Sequence, residues 1–151
     1  MPILRKLQTF SGLPGAEAWA FFEATVLLAY ARLLVNLVPL SRWRKQIEVS
    51  RSDTSEVSPL TKQQRQTSRM ITRTIKRAGR NLPVKFVCLP QAFAARWMLS
   101  RRGIPTELFL GTQLAAEEDR EFHAWLKAGD IMITGHCDEE AYAVFGSQRR
   151  A

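Results

Sequence analysis

From Ala18 to Leu40 the chain is apolar almost without a break, and Thr25, Arg32 and Asn36 recur within it at i, i+7 and i+11. That spacing puts the polar residues on one side of a helix. It predicts a helix from about Ala16 to Val38, stopping before Pro39, with residues 1–15 irregular. A short helical turn is expected over Ser41 to Ile47. Residues 48–60 are serine-rich, lack an apolar period and read as a linker. Ser58-Pro59-Leu60-Thr61 opens a second helix, in which Ile71, Ile75, Ala78 and Leu82 repeat at i, i+4, i+7 and i+11. Gly79 and Pro83 supply its stop.

Pro83 to Val87 is a short extended approach to Cys88, and Pro90 suits the first turn of a third helix, where its missing N–H costs nothing. Phe93, Trp97 and Met98 share one face of that helix, which Gly103 ends and Pro105 keeps from restarting. Strand signals follow at Glu107–Leu110, Phe122–Leu126, Ile131–Thr134 and Ala141–Phe145, with Glu117–Arg120 as a polar loop. Helices first and antiparallel strands afterwards make the fold class α+β. The expected organisation is an N-terminal helical extension and linker over 1–60 and a core over 61–151, one structural domain overall.

At 151 residues, with 46% hydrophobic and 24% charged residues, the chain has enough length for one real core. Glu23, Arg32 and Asn36 interrupt the apolar segment, and its longest run without them falls short of the roughly 18–20 residues that span a bilayer. No transmembrane span is therefore expected. Met1 to Lys6 is followed by Gly12, Pro14 and Gly15 rather than an apolar signal region. Two cysteines, Cys88 and Cys137, are too few for a disulfide framework, so a cytoplasmic location is the default.

The net charge of +8 comes from clusters at Arg65, Arg69, Arg73, Lys76, Arg77 and Arg80 and at Arg96, Arg101 and Arg102. An acidic partner is one reading and a solvated helix face the plainer one. Without aromatic interleaving, zinc-finger spacing or a helix-turn-helix pattern, nucleic acid is not expected as a partner.

Candidate chemistry changes this picture at two places. Cys88 opens a helix, and His123 lies in a strand 35 residues later. A helix N-terminus favours a thiolate, and its free N–H groups suit the oxyanion formed when that thiolate attacks a carbonyl. A neutral imidazole can accept the thiol proton and return it to a leaving amine. Gln91 is a further oxyanion-donor candidate, while Trp97 and Trp125 read as core. His136 and Cys137 are adjacent on an extended segment and point to opposite faces, so no metal is expected, and no cofactor.

Cys88-Leu89-Pro90-Gln91-Ala92, the helix end Arg101-Arg102-Gly103-Ile104-Pro105, the strand Leu108-Phe109-Leu110-Gly111 and His123-Ala124-Trp125 together resemble the B2 proteins of lasso peptide biosynthesis. These are transglutaminase-like cysteine peptidases, with a papain-like pairing of a helix-borne Cys and a sheet-borne His. The similarity runs from about residue 65 to the C-terminus, and the apolar N-terminal helix is similar as well. The resemblance implies a peptidase that removes the leader from a ribosomally made precursor peptide. A separate ATP-using lasso cyclase would then join the freed core amine to an Asp or Glu side chain. It also implies a leader-binding recognition protein. Nothing before residue 60 reads as a compact strand-rich domain, so that protein is expected as a separate chain. A pocket for the penultimate leader threonine is implied too.

The family usually carries an aspartate opposite the histidine. A two-residue turn at Ala128-Gly129 pairs Lys127 with Asp130 and His123 with Thr134. Asp130 then lies four strand positions from His123, about 13 Å at about 3.3 Å per residue. A bulge or bend at Gly135 would bring Asp138 back. Asp138 is therefore the first candidate for a third catalytic member, with Asp130 and a backbone or amide group as alternatives. Two rival functions use the same features: a transglutaminase-like acyltransferase, and a non-catalytic basic binding module.

Overall fold

The computed structural model describes residues 15–39, 42, 59–81, 88–114 and 122–145. The expected irregular start, the turn over Ser41 to Ile47 apart from Arg42, the linker up to Ser58, the approach Pro83 to Val87 and the loop Glu117–Arg120 lie outside them.

Helix α1, Gly15–Leu37, buries Ala20, Ala24, Leu28 and Ala31 on one face. Small residues on that face let its neighbours approach closely. Helix α2, Lys62–Asn81, begins with a reciprocal cap. Thr61 N donates to Gln64 Oε1 at 2.9 Å, and Gln64 N donates to Thr61 Oγ1 at 3.2 Å, so two N–H groups that no helical carbonyl can reach are satisfied. Its inward face is Ser68, Ile71, Ile75 and Ala78. Helix α3, Cys88–Ser100, buries Ala92, Phe93, Ala94, Ala95, Met98 and Leu99, which surround its axis. An almost fully buried helix must be central, and α3 touches α1, α2 and the sheet. Gly103 N bonds Ser100 O at 3.0 Å and Ile104 N bonds Leu99 O at 3.1 Å, closing its C-terminus where the sequence places the stop.

The strands β1 (Glu107–Gln113), β2 (Phe122–Ala128), β3 (Ile131–Thr134) and β4 (Tyr142–Val144) form one antiparallel sheet in the order β3-β2-β1-β4. A 3₁₀ turn, Glu139–Ala141, leads into β4. Leu126, Ala128, Leu108 and Ile133 point into the same core as α1, α2 and α3. His123, Trp125 and Lys127 alternate with them and face away from the helices. This is the α+β arrangement expected from the order of elements.

The β2–β3 hairpin departs from the expected register. The pairs are Ala128 with Ile131 and Lys127 with Met132, so the turn is Gly129-Asp130 and not Ala128-Gly129. Tight two-residue hairpins need a positive φ at their first central position, and Gly129 supplies it at 55°. A bulge follows between Leu126 and Lys127, after which Leu126 pairs with Thr134. His123 therefore does not face Thr134.

Glu23 ties α1 to the end of α3. Its carboxylate is 8% exposed and takes Arg102 Nη2 at 2.8 Å and Arg102 Nη1 at 3.3 Å, with Arg101 Nη1 also at 3.3 Å. Removing Arg102 strands a nearly buried carboxylate, and the exposed Arg101 compensates only in part. Arg102→Ala is expected to cost about 2–3 kcal/mol in urea unfolding. A loss under about 0.5 kcal/mol would show the pair to be as weak as an ordinary surface bridge.

The remaining side of α1 is apolar and largely exposed, although Tyr30 packs its ring on Trp97. Trp19, Phe22, Val26, Tyr30, Leu33 and Leu37 descend it at helical spacing, with Leu37 77% exposed. By length and composition alone α1 is also long and apolar enough to cross a membrane. The apolar remainder of the helix is thus split between a face in the core and a face in the open.

Candidate active site

Cys88 is the first residue of α3 and is half-buried. An α-helix leaves its first four N–H groups without helical acceptors, and Pro90 removes one of them. The first-turn N–H groups at this end of the helix are those of Cys88, Leu89 and Gln91. Gln91 turns its side-chain Nε2 toward α2, where it comes within 3.9 Å of a Cβ built on Gly79.

The thiol meets β2 at an edge that β3 has vacated. The β2–β3 ladder stops at Leu126 with Thr134, two residues short of Ala124. The Ala124 N–H, which a longer β3 would have met, donates to Cys88 Sγ at 3.3 Å. Cys88 is thereby seated on the backbone immediately after His123. The packing of α3 on β2 sets the Cys88 thiol against the residue that follows His123, although Cys88 and His123 are far apart along the chain.

His123 is half-buried on the outer face of the sheet. Its ring packs in a triangle with Trp125, with centroids 6.0 Å apart, and Tyr142, at 5.3 Å. Nε2 stands 2.9 Å from Gly135 O. A carbonyl only accepts, so Nε2 carries the hydrogen and donates. In the neutral ring Nδ1 is then left as the free base, the protonation state in which a histidine can take a thiol proton.

Gly135 makes this contact possible. Its φ is 69°, and a Cβ placed on it would fall 2.1 Å from Ala124 O and 2.9 Å from Trp125 Cα. Only a residue without a side chain can turn the chain here and still press its carbonyl against the His123 ring. The segment after it is held down by Glu139, whose carboxylate accepts from Trp125 Nε1 and Lys127 Nζ, both at 2.9 Å. That anchor brings Tyr142 over the imidazole. Gly135 was expected from sequence as a bend that returns Asp138 and not as the carbonyl partner of His123, and Glu139 was not singled out. The alternation of His123 with Trp125 was the one signal pointing to a shared face.

Both candidate aspartates have other partners. Asp138 Oδ1 accepts from Glu140 N at 3.2 Å and caps the 3₁₀ turn. Asp130 lies in the hairpin turn, where its hydrogen bond from Arg65 Nη1 at 2.8 Å holds its carboxyl below the usual carboxylate range. Trp125 is buried and stacks on Phe109 at 5.6 Å, and Trp97 packs on Phe93 and Tyr30.

Cys137 differs from Cys88 in surroundings. Burial, and then the charges of Glu139 and Asp138, push its thiol up. A raised pKa leaves less thiolate at neutral pH. In a Cys88→Ala background at pH 7.5, Cys137 should react with iodoacetamide more slowly than a free cysteine peptide, and catch up as pH rises. Equal rates at neutral pH would contradict this.

Among curated proteins and among solved structures, none matches the chain. A family model described as the Transglutaminase-like superfamily matches residues 31–147, well over half of the 151 residues. The match takes in the helix that opens with Cys88, the sheet that carries His123 and most of the interface between them. By that match, the chain belongs to the transglutaminase-like superfamily.

Proposed function

We propose that this protein is a cysteine peptidase that cuts the leader from a ribosomally made lasso peptide precursor. The observation that carries the chemistry is the seat of Cys88 Sγ on Ala124 N, beside a histidine whose Nε2 is committed to Gly135 O. His123 Nδ1 takes the Cys88 proton and the thiolate attacks the scissile carbonyl. The α3 N–H groups receive the oxyanion. The carbon–nitrogen bond breaks as His123 gives its proton to the leaving amine, which is the core N-terminus. Water, deprotonated by His123, then cleaves the thioester and restores the thiol. In this reading the Gly135 carbonyl is the group that orients the imidazole, the backbone alternative to Asp138 and Asp130. Its hydrogen bond becomes charge-assisted when the imidazolium forms.

The narrower assignment to lasso peptide maturation rests on the motif resemblance around Cys88, Arg101–Pro105, Leu108–Gly111 and His123–Trp125. It implies a separate leader-binding protein that presents the precursor and a separate cyclase that uses the freed amine. A reduced thiol nucleophile suits a cytoplasmic setting. The test is intact mass of a candidate precursor after incubation with this protein, with and without the leader-binding protein. A single cut at the leader–core junction, stimulated by the partner and with water added across the bond, is expected. A product in which an amine-bearing molecule has been joined to the acyl fragment would assign acyl transfer instead. Intact precursor under all conditions would remove the peptidase reading.

A further inference from the structure

Beside the catalytic segment lies a basic groove of about 710 Å³ between α2 and β3. Lys62, Arg65, Arg69 and Arg73 line one wall at i, i+3, i+7 and i+11, a single stripe of the helix. Ile131 and Met132 supply apolar surface from β3, and His136 closes one end. Arg65 already holds a carboxylate, that of Asp130, at 2.8 Å. Lys62, Arg69 and Arg73 form no ion pair among the described residues, although Arg69 also acts on the Asp130 carboxylate at longer range. The chain thus keeps a row of cations over an apolar surface that is only partly neutralised, beside an arginine that already binds a carboxylate.

The groove reaches the segment that carries Gly135. His136 follows Gly135, whose carbonyl holds His123. From Lys62 to Arg73 the stripe is about 16 Å long, at about 1.5 Å per helical residue. An extended peptide covers that length with about five residues. Alternate side chains of such a peptide point to opposite sides, so acidic groups can meet α2 while apolar ones meet Ile131 and Met132. Nucleic acid fits less well, because no Phe, Tyr or Trp is among the lining residues and His136 is the one aromatic ring there for a base to stack on.

We infer that this groove binds an extended segment of the peptide substrate in which acidic residues alternate with apolar ones, and so helps to direct the adjoining bond to Cys88. The inference rests on the peptidase reading for the identity of the ligand, but its test does not need cleavage. Full-length Cys88→Ala protein is titrated against three fluorescein-labelled probes, read by anisotropy. They are a ten-residue peptide alternating glutamate and leucine, its glutamine counterpart, and an oligothymidylate of equal length. The glutamate peptide should bind, more weakly as salt rises, and the glutamine peptide should bind at least about tenfold more weakly. Arg69→Gln/Arg73→Gln should weaken the glutamate peptide by a similar factor. Both side chains are exposed, and an unchanged melting temperature confirms that the variant is folded. Arg69→Glu alone serves as the second variant and should also weaken binding.

Equal binding of the two peptides, unchanged binding by folded variants, or tighter binding of the oligothymidylate would each overturn the inference. If wild-type protein cuts no precursor while the probes behave as expected, the peptidase reading falls and the acidic-peptide site stands. If cleavage is found and the arginine variants bind and cut like the parent, the groove inference alone falls.

Discussion

Cys88→Ala is expected to abolish precursor cleavage, by about a thousandfold or more, while the protein stays folded and still binds its substrate. The size of the loss follows from the role. A nucleophile cannot be replaced by the groups that merely position the substrate, so what remains is the small acceleration due to binding and oxyanion contacts. The fold should survive because the thiol contributes little to it. Its one hydrogen bond is an N–H to sulfur contact from Ala124 at 3.3 Å, and Cys88 is open enough for water to replace it. A change of about 1 kcal/mol in stability is the expected scale. Cleavage time courses with wild type and variant, beside thermal melts of both, separate the two effects. Substantial cleavage by the variant would show that the nucleophile lies elsewhere.

Gly135→Ala is the second large effect, and it acts on fold and site together. An alanine at φ 69° is strained by about 1–2 kcal/mol before any contact is considered. Its Cβ would also collide with backbone, at 2.1 Å from Ala124 O, and a backbone atom cannot swing aside as the end of a side chain can. The segment must move away from β2, and the carbonyl that holds His123 Nε2 moves with it. A loss of about 3 kcal/mol or more is expected. In the fraction that remains folded, kcat should fall much more than KM rises, because the imidazole is misdirected and not the substrate. Gly129→Ala is the matched control. Its φ is also positive, at 55°, but its Cβ would meet only the Leu60 side chain at 3.1 Å, far from the imidazole. It should lower stability modestly and leave kcat alone. If both variants behave alike, the Gly135 carbonyl has no special bearing on the site.

The sequence was most informative where a pattern is local. Helical spacing of Ile71, Ile75 and Ala78, and the stop signals Gly103 and Pro105, locate α2 and α3 to within a residue or two. The four strands were also visible, since β-branched and aromatic residues between polar turns mark them, although β1 runs three residues past the expected Leu110. The pair Cys88 and His123 was visible because thiol and imidazole are scarce side chains with few structural uses. The partner of His123 was not, since a main-chain carbonyl has no letter of its own. Finding it required the exact register of β2 and β3, which a turn shifted by one residue and a bulge both change. The charge pair of Glu23 with Arg102 was hidden for another reason. The two residues are 79 positions apart, and one acidic residue in an apolar helix gives no sign of which arginine it will meet. Nor does periodicity reveal that the apolar side of α1 from Trp19 to Leu37 lies largely exposed, because a buried and an exposed apolar face are written identically.

The claim on which the rest depends is that His123 activates Cys88. It is tested most directly by the rate at which iodoacetamide alkylates Cys88, followed by intact mass from pH 5 to pH 9 in a Cys137→Ser background, with and without His123→Ala. Removing His123 should slow the reaction near pH 7 by about tenfold or more and move the profile toward that of an ordinary thiol. Superimposable profiles for the two proteins would contradict it, because the imidazole would then have no part in making the thiolate.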